Sequence, residues 1–238
     1  MNGEPEFDGY SGSYEDLLKD PIRDRFTGEA SEFFHVRKRD LIRDYFRSRS
    51  VETRKLRYLD LGCGKGELIR LLQNDFAQVS GCDPSAGMMA AGGLKDRGIE
   101  TRVQEPNGGI PFENAGFDFV TAVCVYHHVP PQYRRNLTAE VKRVLRPGGV
   151  FAIVEHNPYN PVTRLIVSRT PVDADAILLA PGETSQLMQS EEMRIDDRQY
   201  FLYLPENLYR KFGVLERILG SWVPLGGQYA VFGRTNAS

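Results

Sequence analysis

Short apolar runs alternate with amphipathic segments over the middle of the chain. The segments at 67–75 and 131–145 carry apolar residues at the spacing of one helix face, which predicts two helices. The segment at 85–98 is rich in glycine and predicts a weaker helix. The apolar runs have the length of strands and lie at 56–61, 77–82, 100–104, 116–125 and 149–155. Strands that alternate with helices predict a parallel sheet covered on both faces.

The pattern changes after residue 155. Residues 156–182 are rich in Pro and Asn and predict a long excursion, and loops of that length are often functional. Beyond them we expect helices near 183–192 and at 206–219, and strands at 198–204 and 228–234. The last two strands would close the sheet as an antiparallel pair. The sequence therefore predicts an α/β fold with a doubly wound, mostly parallel, seven-stranded sheet and an antiparallel C-terminal strand.

The N-terminal part of the chain has a different character. Residues 1–13 are polar and acidic, and we expect them to be disordered. Residues 14–50 predict helices broken at Pro21 and near Gly28, with an apolar face and a solvated face that carries most basic residues. The pattern shows no second domain, so we expect residues 14–238 to form one domain.

Composition narrows the class of protein. The net charge is −2, so no basic field favours a nucleic-acid partner. No apolar run reaches the roughly 20 residues of a membrane span, and the N-terminus has no signal-peptide pattern. Cys63, Cys82 and Cys124 fit neither a zinc spacing nor a disulfide framework, so we expect a reducing, cytoplasmic location. The oligomeric state is left open.

The stretch YLDLGCGKGE, residues 58–67, joins the first strand to the helix that follows it. Its glycines permit backbone angles that other residues avoid, and they let a ligand approach the main chain closely. Asp83 ends the next strand. A carboxylate at that place suits a ribose, because two hydroxyls can donate to it. A glycine loop followed by such an acid predicts a nucleotide-like cofactor.

Four motifs indicate which cofactor this is. The loop reads G-C-G-K-G, one residue short of the dinucleotide fingerprint. The motifs LDLGCGKGE, GCDPSAGMM, GIPFENAGFDFVTAVCVYHHVPP and VLRPGGVFAIVEH follow one another in the chain. Together they resemble the ordered motifs of the class I S-adenosylmethionine-dependent methyltransferases. The resemblance implies a Rossmann-like methyltransferase fold, transfer of a methyl group, and S-adenosyl-L-methionine as the cofactor.

The same resemblance implies roles for individual residues. Asp60 would reach the ammonium group of the cofactor, and Asp83 would take the ribose hydroxyls. Met88 would pack on the adenine, with core packing as an equal alternative. Pro106 stands where the family usually has an acid for the adenine amino group, so Glu105 or the backbone near Asn107 is expected to replace it. The other implied cofactor contacts are Gly62, Cys63, Gly64, Gly66, Pro84 and the backbone of Val123.

A narrower resemblance extends to both ends of the chain. SGSYEDLL and FTGEASEFFHVRKRDLI at the front, and EHNPYNPVTRLIVSRTPVDADAILLAP and PLGGQY at the back, resemble methyltransferases that accompany bacterial glycan and surface-polysaccharide biosynthesis. This implies O-methylation of a small polar acceptor such as a sugar or nucleotide-sugar intermediate. The alternatives are an aromatic or polyketide hydroxyl, a carbon or nitrogen acceptor, and a cofactor-binding protein without catalysis. A macromolecular acceptor is disfavoured because no basic appendage is present.

Candidate catalytic residues follow the fourth and fifth strands, and ligands of a parallel sheet lie beyond such strand ends. An oxygen acceptor has to lose a proton, and histidine is a suitable base near neutral pH. The candidates are His127, His128 and His156, with Glu155 as a carboxylate alternative, and one of the paired histidines is expected to be structural. Four histidines without helical or C-x-x-C spacing do not indicate a metal site.

Candidate acceptor contacts lie in the excursion, so we expect residues 156–182 to form an insertion on the acceptor side. Arg164 would clamp an anionic group, or pair with Asp173 or Asp175. Asn157, Tyr159 and Asn160 suit a hydroxyl-rich ligand, or serve the turns beside neighbouring prolines. Tyr229 would face the same cleft or stay within the last strand.

The helices at 14–50 are expected to border the same region of the fold. With Phe33, Phe34 and Lys38, they would form a lid over the cofactor. The alternative is that these helices pack against the sheet.

Overall fold

The computed structural model describes residues 9, 12, 14–27, 32–105, 109–220 and 222–237. Within this part of the chain, seven strands form one sheet in the order β3-β2-β1-β4-β5-β7-β6. The strands are β1 (Arg57–Leu61), β2 (Gln78–Asp83), β3 (Glu100–Val103), β4 (Phe117–Val123), β5 (Leu145–His156), β6 (Arg194–Phe201) and β7 (Gln228–Arg234). The first five run parallel, and β7 is antiparallel to both β5 and β6. The predicted fold is confirmed.

Helices cover both faces of this sheet. The described helices are α1 (Tyr14–Leu17), α2 (Pro21–Thr27), α3 (Glu32–Arg47), α4 (Glu67–Leu72), α5 (Ala86–Ala91), α6 (Pro131–Val144), α7 (Pro161–Val167), α8 (Pro181–Ser190) and α9 (Glu206–Leu219). Helices α3 and α4 share one buried apolar cluster with the sheet, and α6 and α8 share a second one. The predicted excursion at 156–182 is partly ordered into α7 and a 3-10 turn, Pro171–Asp173.

Two strand boundaries differ from the predicted ones. β5 begins at Leu145, so the RPGG stretch belongs to the strand and does not merely end the preceding helix. β6 is Arg194–Phe201 and not 198–204. The carboxylate of Glu216 accepts hydrogen bonds from the backbone N–H groups of residues 202, 203 and 204, which withdraws those residues from the sheet. The polar sequence of β6 concealed its start, because an edge strand can carry charged side chains.

Helix α3 packs on the sheet and also borders the ligand cavity. Its Tyr45 ring stacks on Phe232 of β7, with ring centroids 4.0 Å apart. Burying one such side chain contributes about 1.5–3 kcal/mol. Another side of the helix carries Phe34, His35 and Lys38 to the cavity wall. The two expectations for this segment, a lid and a packed layer, therefore describe different sides of one helix.

The expected solvated basic face of α3 needs a correction at two residues, because Arg37 and Lys38 are both buried. Arg37 forms an ion pair with Glu216 of α9 and donates to the Tyr209 hydroxyl at 2.6 Å. A buried charge is costly unless it is paired, and Glu216 supplies the compensating charge. The sequence spacing of basic and acidic residues did not reveal a partner that is far away in the chain.

Some expectations fall on residues about which the structure says little. The predicted disorder of residues 1–13 concerns a segment in which only Gly9 and Gly12 are described. Asn107 also lies outside the described residues. Among the helices that are described, none is both long enough and apolar enough to cross a lipid bilayer.

Candidate active site

The carboxyl ends of β1, β2, β4 and β5 open into one cavity of about 1260 Å³. The wall includes Asp60, Gly62, Gly64, Asp83 and Met88. It also includes the three histidines that follow β4 and β5, together with parts of α1, α6 and α7. The predicted cofactor loop and the predicted catalytic residues are therefore walls of the same cavity.

The glycines of the loop after β1 have separate structural roles. Gly62, Gly64 and Gly66 all have positive φ angles, of 71°, 51° and 74°, which favours glycine at each position. An ideal Cβ on Gly64 would meet only the Met88 Cε, at 3.7 Å, so its main chain faces the cavity. A Cβ on Gly66 would collide with the Leu94 side chain, at 2.5 Å from Cδ2. Gly66 thus serves the packing of the loop and does not line the cavity.

Asp83 is held firmly at the cavity wall. One carboxylate oxygen accepts a hydrogen bond from the Gly64 N–H at 2.8 Å, and the other accepts from the Ser85 N–H at 2.8 Å. These backbone donors fix the orientation of the carboxylate before any ligand arrives. Each oxygen can accept a further hydrogen bond, so the geometry suits the diol of a ribose.

Asp60 is a second buried carboxylate on the same wall. Its Oδ1 accepts a hydrogen bond from the Thr121 hydroxyl at 2.6 Å, and Thr121 also contacts the Tyr58 hydroxyl at 2.7 Å. Burial raises the pKa of Asp60 to about 7, although the hydrogen bonds from Thr121 and Tyr58 oppose that rise. A cationic group would favour the charged form of this carboxyl, so Asp60 suits the ammonium group of an amino acid.

Most of the remaining cofactor candidates also line the cavity. Met88 is buried and also lines the cavity, so both of its predicted roles are compatible with its position. Cys63, Pro84, Glu105 and Val123 line the cavity as well. Gln104, which the sequence did not single out, is buried at the same wall. Its residue type offers both a donor and an acceptor, but its position one residue after β3 gave no specific signal.

His127 lies between two carboxylates. Its Nδ1 is 2.6 Å from Glu155 Oε2, and its Nε2 is 3.4 Å from Asp173 Oδ1. Burial alone would lower the pKa of His127, but the negative charge of Glu155 and the adjacent Asp173 raise the pKa well above the usual range. Glu155 is fully buried and also accepts from the Tyr126 N–H at 2.7 Å. Glu155 therefore positions His127 and does not reach the cavity itself.

The other two histidines stand beside this pair. His128 Nε2 is 3.6 Å from Asp173 Oδ1, and burial together with the nearby His127 lowers the pKa of His128 to about 4. The His156 ring lies 5.1 Å from the His127 ring, measured between centroids, and it lines the cavity. The sequence predicts Asp173 only as a partner of Arg164, because nothing in the sequence links residue 173 to the histidines.

Cys124, which the sequence did not single out for the site, also lines the cavity. Its φ of 55° is unusual for a residue with a side chain. Lys38 Nζ is 4.0 Å and Gln228 Nε2 is 3.5 Å from its Sγ. Burial would raise the pKa of the Cys124 thiol, but the charge of Lys38 and the contact with His156 outweigh it and lower the pKa to about 7.

Four of the predicted acceptor contacts do not line the cavity. They are Asn157, Tyr159, Arg164 and Tyr229. Asn157 is buried, and its amide donates to the carbonyl groups of residues 224 and 226. Tyr229 is buried, and its hydroxyl contacts Thr184 at 2.6 Å. Tyr159 and Arg164 are exposed. Asn160 does line the cavity, where its side chain also caps α7 by accepting from the N–H groups of residues 162 and 163.

Comparison with known proteins shows which proteins part of this chain resembles. Residues 59–153 match the model of the family described as Methyltransferase domain. The chain is 35% identical over 95 residues to probable tRNA methyltransferase 9B of Bos taurus, covering 40% of this chain and 20% of that protein. It is 31% identical over 105 residues to 27-O-demethylrifamycin SV methyltransferase of Amycolatopsis mediterranei, covering 41% of this chain and 37% of that protein. The chain thus spans less than half the length of these relatives.

A solved structure shares the fold over nearly the whole chain. It is a methyltransferase from Thermotoga maritima, described as a possible histamine N-methyltransferase, with a TM-score of 0.67 at 15% identity. The match covers 97% of this chain and 98% of that one. At this identity the likeness concerns the fold alone.

The family match over residues 59–153 and the shared fold imply S-adenosyl-L-methionine as the cofactor. The residues of the wall fit that cofactor. Asp83 is oriented for a ribose, Asp60 is a buried acid suited to an ammonium group, and the main chain of Gly64 faces the cavity between them. The finer resemblance to glycan-associated methyltransferases is not supported by these comparisons.

Proposed function

We propose that the protein transfers the methyl group of S-adenosyl-L-methionine to a hydroxyl group of a small molecule. The cofactor supplies an activated methyl group. The observation that carries the proposal is that Asp60, Gly64 and Asp83 share one cavity with His127 and His156. Methyl transfer is an in-line displacement, so holding acceptor and cofactor in one cavity supplies much of the rate.

The histidines divide the work on the acceptor. His127 is held through its Nδ1 by Glu155, so its ring has a fixed position at the cavity wall. The acceptor oxygen lies near this ring, and His156 takes the proton that the hydroxyl loses. Atoms balance in this step: the acceptor oxygen gains the methyl carbon, the sulfur of the cofactor keeps the bonding electrons, and the proton goes to His156.

The part of the cavity wall formed by α6, α7 and the segments beside them favours an acceptor with a substantial apolar body. Much of this wall is aliphatic, and its aliphatic members include Val129, Leu137, Val162, Ile166, Val167 and Val172. The relative from Amycolatopsis mediterranei is named for a rifamycin acceptor, which is consistent with this chemistry. An aromatic or polyketide hydroxyl is therefore the acceptor class that the cavity favours.

A sugar or nucleotide-sugar acceptor is the second candidate. Asn136 places an amide group on the cavity wall, where it can bind a sugar hydroxyl. Asn160, Thr163 and Thr170 line the same cavity, but their side chains already donate hydrogen bonds to backbone carbonyl groups. This candidate has lost the support of Asn157, Tyr159, Arg164 and Tyr229, since these lie away from the cavity. A cytoplasmic location stays a prediction from the sequence.

The test is a transfer assay with S-adenosylmethionine labelled in its methyl group. Purified protein is incubated with a panel of polyketide aglycones, phenols and nucleotide sugars, and the products are identified by mass spectrometry. We expect a methyl ether from one class, and a loss of at least tenfold in kcat for His156→Gln with S-adenosylhomocysteine affinity unchanged. Cofactor binding without transfer to any hydroxyl would overturn the proposal in favour of a non-catalytic cofactor-binding protein or another acceptor.

A further inference from the structure

Three potential metal ligands lie close together at the wall of the cavity. One ring nitrogen each of His127 and His128 and a carboxylate oxygen of Asp173 all lie within 4.8 Å of one another. Asp173 Oδ1 is 3.4 Å from His127 Nε2 and 3.6 Å from His128 Nε2. Ligand atoms about 2.1 Å from a tetrahedral metal ion are about 3.4 Å from each other. The two distances to Asp173 are close to that spacing.

A second observation concerns the nitrogen of His127 that faces this cluster. His127 is only 2% exposed, and its Nε2 makes no hydrogen bond of normal geometry to the described residues, although Asp173 Oδ1 lies 3.4 Å from it. A buried polar atom without a partner needs an explanation, and a bound ion is one of them.

Glu155 supplies a third element. It binds the other ring nitrogen of His127, Nδ1, at 2.6 Å, which leaves Nε2 as the coordinating atom. Histidines that bind metals commonly have a carboxylate partner of this kind, because it fixes the tautomer and the ring orientation. The same contact explains why a fully buried Glu155 is needed where the sheet ends.

The backbone around the three ligands is tied together. The His127 carbonyl accepts a hydrogen bond from the Ile177 N–H at 2.9 Å, which joins the turn after β4 to the segment after Asp173. The Asp173 carbonyl in turn accepts from the Ala176 N–H at 3.0 Å. The ligands therefore belong to one connected loop structure and keep their mutual spacing.

We propose that His127, His128 and Asp173 bind one divalent transition-metal ion, and that this cation receives the hydroxyl oxygen of the acceptor. Two imidazoles and one carboxylate suit zinc, iron, cobalt or manganese better than magnesium or calcium, which prefer oxygen ligands alone. All three side chains line the cavity, so the remaining coordination positions face the acceptor.

A cation at this position can act as a Lewis acid on a hydroxyl group of the acceptor, which the histidines alone cannot do. It lowers the pKa of a hydroxyl group that reaches it, so that the proton leaves for His156 more easily. This second half of the proposal rests on the proposed function, whereas the binding of the metal does not. The expectation from sequence spacing, that there is no metal site, is replaced because Asp173 comes from a distant segment.

The test measures metal binding without cofactor or acceptor. Protein treated with a chelator and dialysed is titrated with cobalt(II) chloride while its visible absorption is recorded. We expect one equivalent to bind with the bands of a low-symmetry cobalt site, and at least a tenfold loss of affinity in both His128→Gln and Asp173→Asn. His35→Gln is the matched control, since His35 lines the same cavity outside the cluster and burial lowers its pKa to about 3.

The outcomes separate the two halves of the proposal from the proposed function. Circular dichroism and S-adenosylhomocysteine binding show that each variant is folded. No stoichiometric cobalt binding, or binding that both cluster variants retain, would overturn the site and leave His127 as an imidazolium between two carboxylates. Methyl transfer at full rate in chelated protein would overturn the role of the cation in acceptor binding. Cobalt binding without transfer to any hydroxyl would contradict the proposed function and leave the metal site standing.

Discussion

The carboxylate of Asp83, at the end of β2, accepts a hydrogen bond from the Gly64 N–H, in the loop after β1, over 2.8 Å. This bond joins the two sequence features that first indicated a cofactor. It also fixes both groups in the wall of the cavity that the histidines line. The positions of the cofactor loop and of the acid after the second strand are thus mutually dependent.

Removal of the Asp83 carboxylate is expected to weaken cofactor binding. In Asp83→Ala, the ribose hydroxyls lose their acceptor and the loop loses the partner of Gly64. We expect the Kd of S-adenosylhomocysteine to rise at least tenfold, which corresponds to about 1.4 kcal/mol. Calorimetric titration measures the effect, with Asp96→Asn as the control because Asp96 is an exposed acid outside the cavity. Equal affinities in the two variants would remove Asp83 from the site.

Two glycines of the loop are expected to respond differently to alanine. Gly66→Ala places a methyl group against Leu94 at a positive φ, so it should lower the free energy of unfolding by about 2–4 kcal/mol. Gly64→Ala meets only Met88 and should cost no more than the backbone strain, about 1–2 kcal/mol. Its methyl group enters the cavity, however, and should weaken S-adenosylhomocysteine binding at least tenfold.

Denaturant unfolding and calorimetry together measure this contrast. Gly98→Ala serves as the control for strain alone, because Gly98 has a φ of 72° and no neighbouring atom within 4 Å. A Gly64→Ala variant that binds the cofactor like the wild type would show that the cofactor does not pass over this loop.

Asp60 predicts a pH dependence of cofactor binding. Its pKa of about 7 means that the carboxyl is largely protonated in the free protein below neutral pH. The ammonium group of the cofactor favours the carboxylate, so binding should release a proton below pH 7 and affinity should rise as the pH approaches 7. Above about pH 8 the α-amino group itself loses its charge, and affinity should fall again.

Proton release can be measured directly by calorimetry in two buffers with different ionisation enthalpies. Asp60→Asn should bind the cofactor more weakly and should show no proton release at pH 6. Proton uptake in the wild type at pH 6 would contradict the assignment of the ammonium group to Asp60.

Cys124 predicts selective chemical modification. The thiolate is the reactive form, and with a pKa of about 7 a large fraction of the Cys124 thiol is deprotonated near neutral pH. Burial raises the pKa values of Cys63 and Cys82, so these thiols should stay unreactive in the folded protein. Iodoacetamide should therefore label Cys124 first, with a rate that rises with pH around 7.

Mass spectrometry of peptides identifies the labelled residue. Lys38→Met should shift the midpoint of the rate profile to higher pH, because the positive charge near Sγ is lost. Bound S-adenosylhomocysteine should slow the labelling, since Cys124 lines the same cavity. Preferential labelling of Cys63 or Cys82 would contradict the predicted order of reactivity.

The sequence predicted best what depends on local chemistry. The apolar runs of β1 and β4 and the glycine loop between strand and helix are local patterns, and each lies where the pattern placed it. Asp83 could be found because its distance from the loop is set by one helix and one strand. The start of β6 was missed because polar residues on an edge strand have no hydrophobic signal.

The sequence could not predict contacts between distant segments. Asp173 meets the histidines through the folding of residues 156–182, and Arg37 of α3 meets Glu216 of α9. Neither pairing has a characteristic spacing. Asn157 and Tyr229 were expected in the cleft for their polar groups, but each satisfies those groups within the protein. Residue type alone does not tell a ligand contact from an internal hydrogen bond.

Cofactor and acceptor groups should meet in one cavity. A crystal structure of the complex with S-adenosylhomocysteine would show whether they do. In that complex we expect the ribose hydroxyls to bind Asp83, the amino group to lie at Asp60, and the sulfur to point towards His127 and His156. A ribose away from Asp83, or a sulfur that faces away from the histidines, would contradict this arrangement.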